Sequence, residues 1–310
     1  MQSINIEEIK SIVTDVRVDE PMDRHTTFRV GGSADVYVEP SGEELIPLMD
    51  HLKKSGVPYY VIGNGSNLLI GDGGIRGVVV SIGEKLSGIS VEEHAVIHGL
   101  LDDEPVIYAG AGAMLAKVAS VAAAHSLAGL EFASGIPGSV GGGVAMNAGA
   151  YGGEMKDVML YVTAIHDGSE VQYSNEEMDF SYRHSRILGT DDIVVGVCLR
   201  LSTGIEENIR AKMADFNGRR ADKQPINLPS AGSTFKRPEG YFAGKLIEDA
   251  GLRGYRVGGA CVSEKHCGFV VNDMGATAAD IKRLIEDVQK KVFENSGVRL
   301  ETEVRMIGEF

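Results

Sequence analysis

The clearest hydrophobic periodicity in the chain lies near its carboxyl end. There Ile281, Leu284, Ile285, Val288 and Val292 recur at helical spacing and predict one apolar face of an amphipathic helix. Thr277, followed three residues later by Asp280, reads as a capping pair at its start, and Gly297 supplies its stop. The next segment, "VRLETEVRMI", changes to strict alternation and predicts a terminal strand. Val298, Leu300, Thr302, Val304 and Met306 share one side, while Arg299, Glu301, Glu303 and Arg305 face the other. A second helical face, Leu115, Val118, Ala119 and Ala122, follows a strand expected at Val106 to Ala109. Further short runs rich in β-branched and aromatic residues predict strands at 59–62, 68–70, 158–166, 170–174 and 192–202. From Ile205 the texture changes to helices and basic residues. With no internal repeat and no long linker, the pattern points to an α+β chain of two or three intertwined domains.

Glycine is the compositional outlier. Forty glycines in 310 residues is nearly twice the usual share of about 7%. They concentrate in "GNGSN" (63–67) and in "GIPGSVGGGVAMNAGAYGG" (135–153), which holds eight glycines in nineteen positions. Bare backbone lets successive N–H groups approach an anion, so two such loops suit a diphosphate held along its length, with Ser66, Asn67 and Ser139 adding neutral donors. Tight turns at sheet corners explain one such loop easily and two poorly. A dinucleotide-binding Rossmann turn fits neither: no helix follows 63–67, and "YAGAGAMLAKV" lacks the third glycine after Gly110 and Gly112, although Glu131 lies about twenty residues on.

Charge narrows the partners. A net charge of −14 disfavours general affinity for nucleic acid or anionic membrane. Locally the balance reverses, with ten basic against five acidic residues from Arg210 to Arg256, which is either a small-anion site or a solvated basic face. Cys198, Cys261 and Cys267 form an odd set without a Cys-x-x-Cys pair, as expected in a reducing compartment. Cys261, His266 and Cys267 lack a second ligand cluster at metal-site spacing, so no metal is expected. The start, "MQSINIEEIKSIV", is not a secretory leader, and no apolar run approaches the ~18 residues of a spanning helix. A cytoplasmic location with no membrane partner is the expectation, and no signal for an oligomeric state is present.

Three places carry candidate chemistry. In "DFSYRHSRI", Arg183 is a permanent cation suited to a carboxylate or a developing enolate. In "LPSAGSTFKRP", Ser233 sits in a small-residue turn where a serine is more often a cap than a catalyst. Glu303, on the polar side of the terminal alternation, reads as a solvated residue. Spacing alone does not unite them.

Taken together, "HTTFRVGG", "GNGSN", "GLEFASGIPGSVGGGVAMNAGAYGG", "SYRHSR", "AGSTFKRP", "VGGACVSEKHCGFVVN" and "LETEVR" resemble the UDP-N-acetylenolpyruvoylglucosamine reductase family over essentially the whole chain. These flavoenzymes are also called UDP-N-acetylmuramate dehydrogenases. The resemblance implies a FAD-binding domain of the vanillyl-alcohol-oxidase type, built from two α/β subdomains, with a smaller α+β substrate-binding domain. Mapped by motif, residues 1–80, with 298–310 returning to them, form the first flavin subdomain, residues 81–205 the second and residues 206–297 the substrate domain. It also implies non-covalent FAD held by Gly63, Asn64, Gly65, Ser66, Asn67, Gly135, Ile136, Gly138 and Ser139. NADPH would be the hydride donor and UDP-N-acetylglucosamine-enolpyruvate the substrate.

In that mapping Ser233 is the proton donor, with Arg183 and Glu303 stabilising the enol. Lys223, Arg237 and His266 grip the uridine diphosphate. Lys236 or Arg183 would provide the positive charge that a serine acid requires. Cys267 stands where the family pattern has a small apolar residue. No room exists after Arg183 for the tyrosine-bearing loop of the longer family type, so the chain resembles the shorter, second type. Two alternatives stay open: a different oxidase or dehydrogenase on the same flavin fold, and a nucleotide-sugar binding module without catalysis.

Overall fold

The carboxyl-terminal helix forms where its apolar stripe and caps dictate, over Ala278–Ser296 in the computed structural model, which describes residues 4–92, 95–97, 100–102 and 104–310. Ile281, Leu284, Ile285, Val288 and Val292 are all fully buried. Thr277 and Asp280 close a reciprocal capping box, and the Asp72 carboxylate accepts from the Ala278 and Ala279 N–H groups at 2.8 and 2.9 Å. The orphan donors of the first turn thus meet acceptors, and the carboxylate lies at the positive end of the helix dipole. Gly297 ends the helix in the left-handed conformation.

The chain divides into two compact units. One comprises Met1–Val16, Val38–Asn64 and Val79–Arg219; the other comprises Arg17–Tyr37, Gly65–Val78 and Arg220–Phe310. In the first, an antiparallel five-stranded sheet runs in the order Ser169–Ser174, Met159–His166, Ile193–Arg200, Val106–Gly110, Ile89–Glu92. The alternating β-branched runs of the sequence supply its central strands. The short helix Val140–Ala145 packs on two of these strands, while Leu115–Ala124 buries the face expected of it: Leu115, Val118, Ala119 and Ala122. Gly110 and Gly112 serve packing: a Cβ on either would collide with the carbonyl oxygen of Leu86 or Gly83.

In the second unit, the carboxyl-terminal helix covers a three-stranded sheet of Arg256–Val257, Ala260–Val262 and Val270–Asn272. Its core continues through Phe28, Leu69, Phe235 and Ile247.

The terminal segment departs from expectation. Only Arg305–Ile307 is a strand, parallel to Leu68–Ile70. Upstream, the backbone bonds instead to the turn that carries Ser233: Lys236 N–H donates to the Glu301 carbonyl and Glu303 N–H to that of Thr234, both at 2.9 Å. Leu300 and Val304 are buried as alternation requires, yet Glu303 is half-buried rather than solvated. Among the described residues no helix is long and apolar enough to cross a membrane.

Candidate active site

The two glycine-rich loops meet at Gly63 and Ser139. A Cβ on Gly63 would overlap Ser139 Oγ, so glycine is required there for the approach. One residue on, Asn64 Nδ2 donates to the Pro137 carbonyl at 2.6 Å. The second loop is fixed from below, because Leu115 N–H donates to the Gly138 carbonyl and the N–H groups of Val140 and Gly141 donate to Ala113 and Ala111. Ser139 caps the helix Val140–Ala145, its Oγ accepting from Gly142 N–H. Gly135 closes the turn of 3-10 helix Glu131–Gly135, and Ile136 N–H bonds back to Ala133. Among the described residues, the N–H groups of Asn64, Gly138 and Ser139 donate to no protein acceptor. A phosphate would satisfy such a donor set.

The end of the 63–67 loop is held differently. Gly65 adopts φ +61°, and a Cβ there would strike the His25 carbonyl. Ser66 is half-buried. Asn67 Nδ2 donates to the Glu303 carbonyl and its own carbonyl accepts from Arg305 N–H, both at 3.0 Å. The sequence reading gave Asn67 to the cofactor; its amide also positions Glu303.

Ser233 and Glu303 are brought together through Thr234. Thr234 is fully buried, its N–H donating to the Gly268 carbonyl and its Oγ1 accepting from Val270 N–H at 2.9 Å. Its carbonyl takes the Glu303 N–H, so the residue after Ser233 and the Glu303 backbone are adjacent. Lys236, expected to lend charge to Ser233, forms an exposed ion pair with Glu301 at 3.2 Å.

Arg183 belongs to the first unit, Ser233 and Glu303 to the second. It occupies a tight turn in which Ser181 and His184 exchange backbone hydrogen bonds, with φ +55° at Arg183 itself. The left-handed region is costly for an arginine, and such strain recurs at functional sites. The guanidinium donates to the Gly149 carbonyl at 3.3 Å and lies 5.1 Å from the centre of the Tyr182 ring. Two fully buried polar residues that sequence reasoning missed, Asn147 and Ser185, pin this segment. An asparagine directly after a helix and before a glycine turn is the signal that could have found the first.

The remaining candidates lie in the second unit. Lys223 is an exposed residue in the last turn of the polar helix Glu206–Lys223. Arg237 lies over the exposed Phe242 ring at 4.1 Å, with Nε donating to the Tyr241 carbonyl. His266 is half-buried, and burial lowers its pKa. Gly268 N–H donates to His266 Nδ1 at 3.1 Å, which leaves Nε2 as the ring donor. Cys267 is buried, and burial raises its thiol pKa.

A family model described as UDP-N-acetylenolpyruvoylglucosamine reductase, C-terminal domain, matches residues 224–307, and one described as FAD binding domain matches residues 34–173. UDP-N-acetylenolpyruvoylglucosamine reductase of Agathobacter rectalis is 56% identical over 94% of both chains. That of Caldanaerobacter subterraneus is 48% identical over the whole of both. The crystal structure of the Thermus caldophilus enzyme superposes with a TM-score of 0.75 at 34% identity, covering 94% of this chain and 98% of that one. With relatives this similar along nearly its whole length, and with the glycine loops joined as described, the chain belongs to the UDP-N-acetylenolpyruvoylglucosamine reductase family.

Proposed function

We propose that the chain is a FAD-dependent oxidoreductase that uses NADPH to reduce the enolpyruvyl ether of UDP-N-acetylglucosamine-enolpyruvate, yielding UDP-N-acetylmuramate for peptidoglycan precursor synthesis. The observation that carries this reading is the junction of the two glycine loops at Gly63 and Ser139, where N–H groups unused by the protein fit a diphosphate. Gly63, Asn64, Gly65, Ser66, Asn67, Gly135, Ile136, Gly138 and Ser139 would hold FAD non-covalently. When bound, the flavin supplies hydride taken from NADPH. Residues 1–80 with 298–310, and residues 81–205, make the flavin subdomains in this reading, and residues 206–297 bind substrate.

The protein side chains carry the rest of the chemistry. Reduction adds hydride to the carbon distal to the ether oxygen and a proton to its neighbour, while charge develops on the attached carboxylate. Arg183, a fixed cation, stabilises that charge without exchanging a proton. Glu303 assists as a hydrogen-bond donor, a role open to a carboxyl only in its protonated form. Ser233 delivers the proton, and Lys223, Arg237 and His266 bind the uridine diphosphate.

Stopped-flow spectroscopy of the purified protein separates the two half-reactions. A yellow protein is expected, bleached by NADPH and recoloured by the enolpyruvyl substrate. Protein that stays colourless after reconstitution with FAD, or reduced protein that the substrate does not reoxidise, would refute the assignment.

A further inference from the structure

The Asn147 side chain meets three partners, all fully specified by the backbone and by one carboxylate. Its Oδ1 accepts from Lys156 N–H at 3.0 Å, and its Nδ2 donates to Glu154 Oε2 and to the Ser181 carbonyl, each at 3.1 Å. Lys156 N–H can only donate, and the Ser181 carbonyl can only accept, so the amide orientation is fixed by its surroundings. The site demands one acceptor and two donors on a short side chain. It also demands φ +40°, which asparagine tolerates better than most residues. With the residue fully buried, loss of any of these partners leaves a polar group without water.

These bonds converge on Arg183. Ser181 opens the tight turn that places Arg183 in the left-handed region, and its carbonyl is held by Asn147. On the other side of the turn, Ser185 Oγ donates to the Ala145 carbonyl at 2.9 Å. Gly149, whose carbonyl receives the Arg183 guanidinium, lies two residues beyond Asn147 in the Gly149–Ala150 strand paired with Gly153–Glu154. Turn, guanidinium acceptor and both anchors therefore trace to the end of the helix Val140–Ala145, which Ser139 of the glycine loop begins. We propose that Asn147, seconded by Ser185, is the positioning residue that fixes Arg183 against the substrate carboxylate. This rests on the role given to Arg183 above. The residue touches neither substrate nor flavin in this assignment and acts through the turn alone.

Asn147→Asp tests it, since this near-isosteric change keeps the acceptor for Lys156 but turns two donor contacts into oxygen-to-oxygen repulsions. In the holoenzyme, reoxidation by the enolpyruvyl substrate should slow by about 10–100-fold while flavin reduction by NADPH stays within about twofold. Binding of the product UDP-N-acetylmuramate, read from the flavin absorbance, should weaken with both Asn147→Asp and Arg183→Ala. In an Arg183→Ala background, Asn147→Asp should add less than about twofold to the reoxidation defect. Unchanged reoxidation in Asn147→Asp, equal loss in both half-reactions, product affinity that only Arg183→Ala lowers, or full multiplication of the two defects would overturn the proposal. Normal reoxidation in Arg183→Ala would sink the catalytic reading itself. Should Asn147→Asp not fold, Ser185→Ala decides: roughly 3–10-fold slower reoxidation with intact reduction supports the mount, and no change rejects it.

Discussion

Arg183 and Glu303 are assigned to the same developing charge, yet they are mounted in opposite ways. Arg183 rides a strained turn whose place depends on side chains, above all the buried amide of Asn147 and the hydroxyl of Ser185. Glu303, and Ser233 with it, are placed by main-chain pairing through Thr234 and by the Asn67 amide acting on a carbonyl. A backbone mount survives most substitutions, because every non-proline residue brings the same N–H and C=O. A side-chain mount does not, and is correspondingly open to precise disruption.

The largest effect that bears on this contrast is removal of the proposed acid. Ser233→Ala should slow reoxidation by about 10²–10⁴-fold with flavin reduction nearly intact, the range of a positioned acid. Comparable losses in both half-reactions would mean that the turn, rather than the hydroxyl, had been damaged.

A smaller change probes the backbone mount itself. Thr234→Val keeps the carbonyl that receives Glu303 but leaves the buried Val270 N–H without Oγ1, so stability should fall by about 1–3 kcal/mol in denaturant titration. Both half-reactions should stay within about threefold of the parent. A large kinetic loss would erase the distinction between the two mounts.

Acid should provide the gentlest probe, and should reach the side-chain mount. Burial pushes the Asp192 carboxyl up, but hydrogen bonds involving His166, Tyr173 and Thr190 outweigh it and hold the pKa below the ordinary value. Its neighbour Arg186 lies 4.0 Å over the Tyr173 ring and belongs to the segment that carries Arg183. A carboxyl depressed in the folded state adds stability above its unfolded pKa of about 3.9, and that contribution disappears as pH falls through the folded value. Asp192→Asn should therefore flatten the loss of stability below about pH 4, and an unaltered acid limb would remove Asp192 from the support.

Much of this was legible in the chain. The helix Ala278–Ser296 was written in its stripe, its Thr277 and Asp280 cap and its Gly297 stop, because those signals are local. The approach of Gly63 and Asn64 to Pro137 and Ser139 was foreseeable from two stretches of bare backbone. Alternation at 298–306 was read as a strand because it reports which side is buried, not which backbone groups pair. The Ser233 turn takes up the bonds of its first half. The positive φ of Arg183 left no trace, since arginine has no preference for that region. Asn147 stands out in the sequence only by its place after a helix and before a glycine turn, because its partners Glu154, Lys156 and Ser181 lie farther along the chain.

The helix Val140–Ala145 has one further implication, which concerns length rather than identity. Capped by Ser139, it runs from Val140 to Ala145 and ends two residues before Asn147, so each residue added to or removed from its turns would rotate the exit toward Asn147 by about 100° around the axis. Insertions that surface loops absorb readily would here turn Arg183 away from its target while leaving the diphosphate cradle whole. The interval of eight residues from Ser139 to Asn147 behaves as a mechanical gauge, set in part by helical pitch.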